Sequence, residues 1–314
     1  MASSIRKVLR KALASLDLPS SSNETPDAHQ RRADEHVVTI VLDRGVKSIA
    51  AVHAVMLERC AYNAFDVGEP VEKLRSWVEV SRPPVMISNA AVLKRLGLTD
   101  IAATLGDFPR IVLDVDLALK KADSKANMPC TARHDQDDLD RLAYLIFTSG
   151  STGKPKAVMI RHKSALNVVR IWGRYVGLGP HDRFAQVASM SWNVHIIEVY
   201  GTMSARATSV TCPDMIKKSG PDMQLWLKDR EITGMSVVPS HLRTMSGGPA
   251  HHVWWWSRCL KNSQRTSASS NPGRGRRGLG GRCGIDLGPG SPPLQQLRTL
   301  RNFGGLHRCL CESR

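Results

Sequence analysis

The stretch Leu142-Ala-Tyr-Leu-Ile-Phe-Thr-Ser-Gly-Ser-Thr-Gly-Lys-Pro-Lys-Ala-Val158 decides the reading of this chain. Its first six residues form an apolar run that reads as a buried strand. The strand runs straight into a loop dense in glycine, hydroxyls and lysine. Gly150 and Gly153 free the backbone so that N–H groups can converge on an anion. Thr148, Ser149, Ser151 and Thr152 add four hydroxyls, Lys154 and Lys156 add two cations, and Pro155 stiffens the exit. That chemistry is suited to phosphate oxygens. The loop is not a Walker A motif: Thr148 stands where its first glycine belongs, and Pro155 replaces the hydroxyl residue that must follow the lysine.

Outward from the loop, strand and helix patterns alternate. Val37–Leu42, Pro84–Ile87 and Arg110–Asp114 read as short buried strands. Helical spacing covers Ser48–Leu57, Val71–Val80, Ala90–Leu96 and His162–Tyr175, and alternation continues through Ser236–Pro239 to about Met245. Residues 120–140 read as a charged surface loop. Strands alternating with helices predict an α/β fold with a doubly wound, mostly parallel sheet.

The two ends differ in texture. Residues 1–35 are polar, with Ser20–Asn23 and Gln30–Glu35 reading as loop or disorder. Residues 1–15 are basic, acid-free and amphipathic, which fits an organelle address or a short solvated helix. Residues 249–314 show no sustained periodicity and include Trp254–Trp256 and a Gly/Arg block from Gly273 to Arg282. They read as a disordered basic tail or as translation in a shifted frame.

Charge and cysteine usage exclude several function classes. Net charge is +16, but residues 249–314 hold eleven Lys/Arg against two acids, so the excess is concentrated in the tail. That distribution argues against a nucleic-acid-binding domain. Cys309 and Cys311 are separated by one residue, which is too close for a common zinc pair, so no metal site is expected. Cys60, Cys130 and Cys212 are isolated and read as thiols of a reducing compartment, which points to the cytoplasm. No run reaches the roughly 18–20 apolar residues that span a bilayer.

The stretch Leu142–Val158 resembles the signature of the AMP-binding, adenylate-forming superfamily, in the form found in adenylation domains of nonribosomal peptide synthetases. Ala157 departs from the family's glycine, and its methyl is expected to crowd the phosphate approach. Glu58–Asp66 is similar to the family's Lys-Ala-Gly-Gly-Ala-Tyr-Val-Pro-Leu-Asp segment, with both glycines and the proline lost, and reads as a helix end leading into a strand. The downstream Glu69–Leu74 and the later Val237–Arg243 fit the family's continuation. The resemblance covers residues 36–248, between the terminal segments 1–35 and 249–314.

The resemblance implies an incomplete adenylate-forming N-terminal domain with disordered ends. It implies an adenylate-forming ligase using ATP and Mg²⁺, with Thr148, Ser149, Gly150, Ser151, Thr152, Gly153, Lys154 and Lys156 gripping the phosphates. The substrate would be a small carboxylic acid, with a carrier protein acting in trans.

Trp192-Asn-Val-His-Ile-Ile-Glu-Val-Tyr-Gly201 resembles the family's Phe-Asp-x-Ser-x-Trp-Glu-Ile-Phe-Gly segment. Aligned on Glu198 and Gly201, Asn193 falls in the substrate pocket, where amino-acid-activating members carry Asp against the α-ammonium. Members that activate aryl acids have Asn there. Asn193 therefore points to an aryl, hydroxy or keto acid, or records drift in a decaying copy. His195 faces the pocket or packs.

Other family segments are not matched. There is no Tyr-Gly-Pro-Thr-Glu, no Tyr-Arg-Thr-Gly-Asp, no C-terminal catalytic lysine and no phosphopantetheine carrier motif. The expectation is a fragment with impaired activity. The alternative is a non-catalytic nucleotide-binding remnant or interaction protein.

Overall fold

The computed structural model of the chain describes residues 1–18, 35–98, 100–120, 139–149 and 155–238. All of them fall in one compact unit, 1–267. Its strands are β1 (Val37–Val41), β2 (Ala61–Phe65), β3 (Val85–Ser88), β4 (Ile111–Asp114), β5 (Leu142–Thr148), β6 (Lys156–Arg161), β7 (Arg183–Gln186), β8 (Thr208–Thr211) and β9 (Gly234–Met235). The helices are α1 (Ala2–Ala14), α2 (Val46–Leu57), α3 (Val71–Ser81), α4 (Ala90–Arg95), α5 (Ile101–Leu105), α6 (Val115–Lys120), α7 (His162–Val176), α8 (Thr202–Ser204), α9 (Asp214–Lys217) and α10 (Gly220–Asp229). A π-helical turn, Ile197–Gly201, precedes α8.

The larger sheet has the order β4-β3-β1-β2-β5-β6. β1 to β5 are parallel, and β6 returns antiparallel to β5. Strands β1, β2 and β3 are buried at every position, which is why β1 and β3 read as apolar runs rather than alternating ones. Chain order reverses at β1: β2 lies on one side of it and β3 on the other. A second sheet, β8-β7-β9, is fully parallel. The expected mostly parallel α/β architecture is therefore present, divided between two sheets.

Apolar faces close both sheets. Phe65 meets the edge of Trp77 at 5.4 Å, and Trp77 stacks on Phe147 at 4.5 Å, which locks α3 over β2 and β5. In the second sheet, Ala185, Met223, Trp226 and Leu227 bury α10 against β7. Local chemistry sets the helix ends. The Asn89 side chain accepts from the Val92 amide at 2.9 Å to start α4, and Arg82 takes the left-handed conformation that ends α3.

Three segments differ from their sequence reading. First, the disorder expected across 1–35 does not hold at Ala2–Ala14, which form α1. Ile5, Leu9 and Ala12 recur at helical spacing and are buried, with α1 packed against α2 and α6. Arg6 and Arg10 converge on Glu58 at 2.5 and 2.8 Å. Second, Lys156–Arg161, read only as the exit of the loop, is a strand. Third, the strand expected from Ser236 lies earlier, at Gly234–Met235. The tail 249–314 lies outside the described residues.

Candidate functional site

The Ser/Thr/Gly/Lys loop bridges a β-hairpin. Its two flanking strands are paired from Leu142↔Arg161 to Thr148↔Lys156, and the Thr148 hydroxyl donates to the Lys156 carbonyl at 3.4 Å. Thr148, Ser149 and Lys156 are exposed at the mouth of the hairpin. Gly150, Ser151, Thr152, Gly153 and Lys154 lie outside the described residues. Ala157 pairs with Phe147 and packs against the cluster of Val37, Ala61, Leu142 and Leu145. Its methyl thus has apolar neighbours to rest on.

Because β1, β2 and β5 are parallel, their carboxyl ends share one edge of the sheet, and Thr148, at the end of β5, stands on that edge. Open α/β sheets bind ligands at this edge, near the point where strand order reverses. Arg44, just after β1, reaches from there to the second sheet. Its guanidinium donates to the Val187 carbonyl at 2.6 Å, more weakly to the Gln186 carbonyl at 3.4 Å, and pairs with Asp214. The carboxyl ends of β1 and β7 are thereby joined.

The segment after β7 carries Asn193 in a tight turn. Trp192 N–H donates to the Ser189 carbonyl at 3.1 Å, and Ile196 N–H to the Asn193 carbonyl at 3.2 Å. Asn193 is half-buried beside Trp192, which is 64% exposed. Among the described residues, no hydrogen bond links Asn193 to Thr148, Ser149 or Lys156.

Two ionisable groups are buried just behind this turn. The His195 side chain bonds the Tyr62 hydroxyl through Nε2 at 2.7 Å and the Trp192 carbonyl through Nδ1. Burial pushes its imidazole down to about 4, against a smaller upward pull from the Trp192 bond. Glu198 Oε2 accepts from the amides of Val187 and Ala188 at 3.0 and 2.9 Å. Burial pushes that carboxyl up to about 8, opposed first by the two amides and then by Arg44 and Lys217. Its Oε1 has no partner among the described residues.

No local sequence pattern marks Arg44, Tyr62 or Glu198 as a site residue. Tyr62 and Glu198 do lie in the two segments quoted for the resemblance, and that placement was the available signal. Among the described residues, no group of three or more His, Cys, Asp or Glu side chains is placed to hold a metal ion. Among them also, no helix is long and apolar enough to cross a membrane.

Known proteins resemble this chain in sequence and in fold. The sequence model described as AMP-binding enzyme matches residues 31–305, beyond both ends of the 36–248 stretch that carried the resemblance. Malpinin synthetase of Mortierella alpina is 28% identical over 209 residues, which are 67% of this chain and 2% of that protein. Phosphinothricin tripeptide synthetase PhsC of Streptomyces viridochromogenes is 29% identical over 214 residues, 68% of this chain and 19% of that protein. The chain thus spans a small part of the curated relatives it matches. Among solved structures, the nonribosomal peptide synthetase FmoA3 in its AMPPNP-bound form superposes with a TM-score of 0.60 at 21% identity, over 78% of this chain and 23% of that one.

Proposed function

Because the chain belongs to the AMP-binding enzyme family, we propose that it activates a small carboxylic acid with ATP. The acid's carboxylate oxygen attacks the α-phosphorus, the bond to the bridging oxygen breaks, and pyrophosphate leaves as the acyl-adenylate forms. The observation that carries this reading is the β5–β6 hairpin, which holds the two ends of the Ser/Thr/Gly/Lys loop at the carboxyl edge of the large sheet. In this reading Thr148, Ser149, Gly150, Ser151, Thr152, Gly153, Lys154 and Lys156 hold the β and γ phosphates, offering hydroxyls, backbone N–H groups and two cations.

Asn193 lies in the acid pocket of this reading. An amide cannot supply the negative charge that an α-ammonium would need, so the preferred acid is an aryl, hydroxy or keto acid. A carrier protein acting in trans is the expected acceptor of the activated acyl group. Mg²⁺ accompanies ATP as a neutraliser of phosphate charge. No acidic cluster among the described residues is placed to hold it.

The test is ATP–pyrophosphate exchange with a panel of amino acids, benzoates, and hydroxy and keto acids. Exchange that depends on one acid class and is lost in Lys154→Ala supports the proposal. ATP binding that weakens in the same variant, with no exchange for any acid, would replace it with the non-catalytic nucleotide-binding reading.

A further inference from the structure

Tyr62 on β2, Tyr144 on β5 and His195 in the turn after β7 form a buried cluster to which the proposed reaction assigns no role. Tyr62 and Tyr144 are register partners, with rings stacked at 5.5 Å. His195 sets its ring edge-on to both, at 5.8 and 5.6 Å. None of the three is more than 1% exposed. Both imidazole nitrogens have partners, and the partners fix the tautomer. The Trp192 carbonyl oxygen can only accept, so Nδ1 carries the proton. Nε2 then presents a lone pair, and the Tyr62 hydroxyl donates to it at 2.7 Å.

The carbonyl gripped by His195 belongs to the peptide that joins Trp192 to Asn193. It also receives the His195 backbone N–H at 3.2 Å. Two donors on one carbonyl fix the plane of that peptide. Because the peptide unit is rigid, they also fix where the backbone nitrogen and Cα of Asn193 sit. Behind the turn, the Ser189 and Ser191 hydroxyls bond each other at 2.9 Å and hold its start. At the far end of the cluster, Tyr62 abuts β5, the strand that leads to Thr148.

We infer that His195 is a positioning residue for the acid pocket. Through its bonds to the Trp192 carbonyl and the Tyr62 hydroxyl, it fixes Asn193 relative to the strand that feeds the phosphate loop. The effect on substrate rests on the acid-activating role proposed above; the tether itself does not. The competing role for a buried imidazole is space filling, and the two are separable by substitution. His195→Asn retains a donor near the Nδ1 position and loses ring volume. His195→Leu retains volume and loses the donor. Tyr62→Phe keeps the ring stack and removes only the bond to Nε2.

In exchange kinetics with the preferred acid, His195→Leu is expected to raise the acid KM about tenfold and to leave the ATP KM within about twofold. His195→Asn should recover most of that loss, and Tyr62→Phe should raise the acid KM about threefold. A Leu variant matching the parent while the Asn variant is impaired would overturn the inference in favour of packing. Equal rises in both KM values would overturn it in favour of general loosening.

If the parent exchanges with no acid, the functional reading fails and the tether is decided by NMR on the unliganded chain. The ¹⁵N resonances of His195 should then report a neutral imidazole protonated at Nδ1, with Nε2 shifted in Tyr62→Phe. The Asn193 amide should be displaced in His195→Leu and restored in His195→Asn. An Nε2-protonated imidazole, or an Asn193 resonance indifferent to these changes, overturns the inference.

Discussion

The Arg44 guanidinium donates to the Val187 carbonyl at 2.6 Å, and this one side chain ties the carboxyl end of the large sheet to that of the small one. The Arg44 side chain is 9% exposed, while its partner Asp214 is 61% exposed, so the backbone carbonyls carry more of the bond than the ion pair does. Arg44→Ala should destabilise the fold by about 2 kcal/mol, the scale of a lost charged hydrogen bond that leaves carbonyls behind. Arg44→Lys should recover less than half, because an ammonium cannot reach two acceptors with a fixed fork. Urea unfolding of the three proteins measures both differences, and a Lys variant equal to the parent would refute the fork.

Stability should respond to pH through two buried groups of opposite sign. The folded His195 value of about 4 lies below its ordinary 6.5, so the unfolded chain takes up the extra proton and stability falls as pH drops through that window. The folded Glu198 value of about 8 lies above its ordinary 4.5. Its contribution is therefore fully present below the lower value and lost as pH rises to the upper one. The two slopes oppose each other between 4.5 and 6.5, and only that of Glu198 remains from 6.5 to 8. Glu198→Gln should flatten the limb above 6.5 and uncover the His195 slope below it. Urea midpoints at acidic, neutral and mildly alkaline pH check this. A Gln variant that still weakens on the alkaline side would assign the limb to another group.

Gly201 has no room for a side chain. A Cβ placed there would lie 2.6 Å from the Trp172 ring, which is itself buried and set edge-on to Phe184. Gly201→Ala should cost about 1–3 kcal/mol, the range for overpacking a closed site. Trimming the ring in a Gly201→Ala/Trp172→Leu double variant should make the two losses less than additive in thermal unfolding.

Helix α1 is part of the folded core, because Ile5 and Leu9 are no more than 1% exposed. Leu9→Ala should lower stability by about 2–4 kcal/mol. Exposed Lys7 on the same helix should tolerate Lys7→Ala with a change under about 0.5 kcal/mol. Equal tolerance at both positions would detach the helix from the fold.

Asn193→Asp introduces a carboxylate into the proposed acid pocket. The ratio of exchange with α-amino acids to exchange with aryl or hydroxy acids should rise at least about tenfold, the effect of one charge-assisted contact. An unchanged ratio would remove Asn193 from the pocket.

What was legible in the sequence followed from burial. Val37–Val41 and Val85–Ser88 are enclosed on both faces, so their strands show as unbroken apolar runs. Arg183–Gln186 and Thr208–Thr211 are just as much strands, but each is short and carries polar residues, so the second sheet left no comparable trace. Lys156–Arg161 was hidden by its position against the Lys/Pro end of the loop. The strand that leads into the loop, Leu142–Thr148, was legible because its apolar run is contiguous. Arg44 with Val187, and Tyr62 with His195, were not, because each pair is far apart in the chain and no local pattern couples them.

The antiparallel return of β6 also bears on how the molecule assembles. Every other pairing in the large sheet waits on a crossover or on a distant segment, as when Tyr62 meets Tyr144. The β5–β6 ladder joins near neighbours in the chain, so its loop-closure entropy is the smallest in that sheet. Short-range hairpins close within microseconds, whereas long-range parallel pairing is slow. The ends of the Ser/Thr/Gly/Lys loop can therefore find each other early, before the sheet around them is complete.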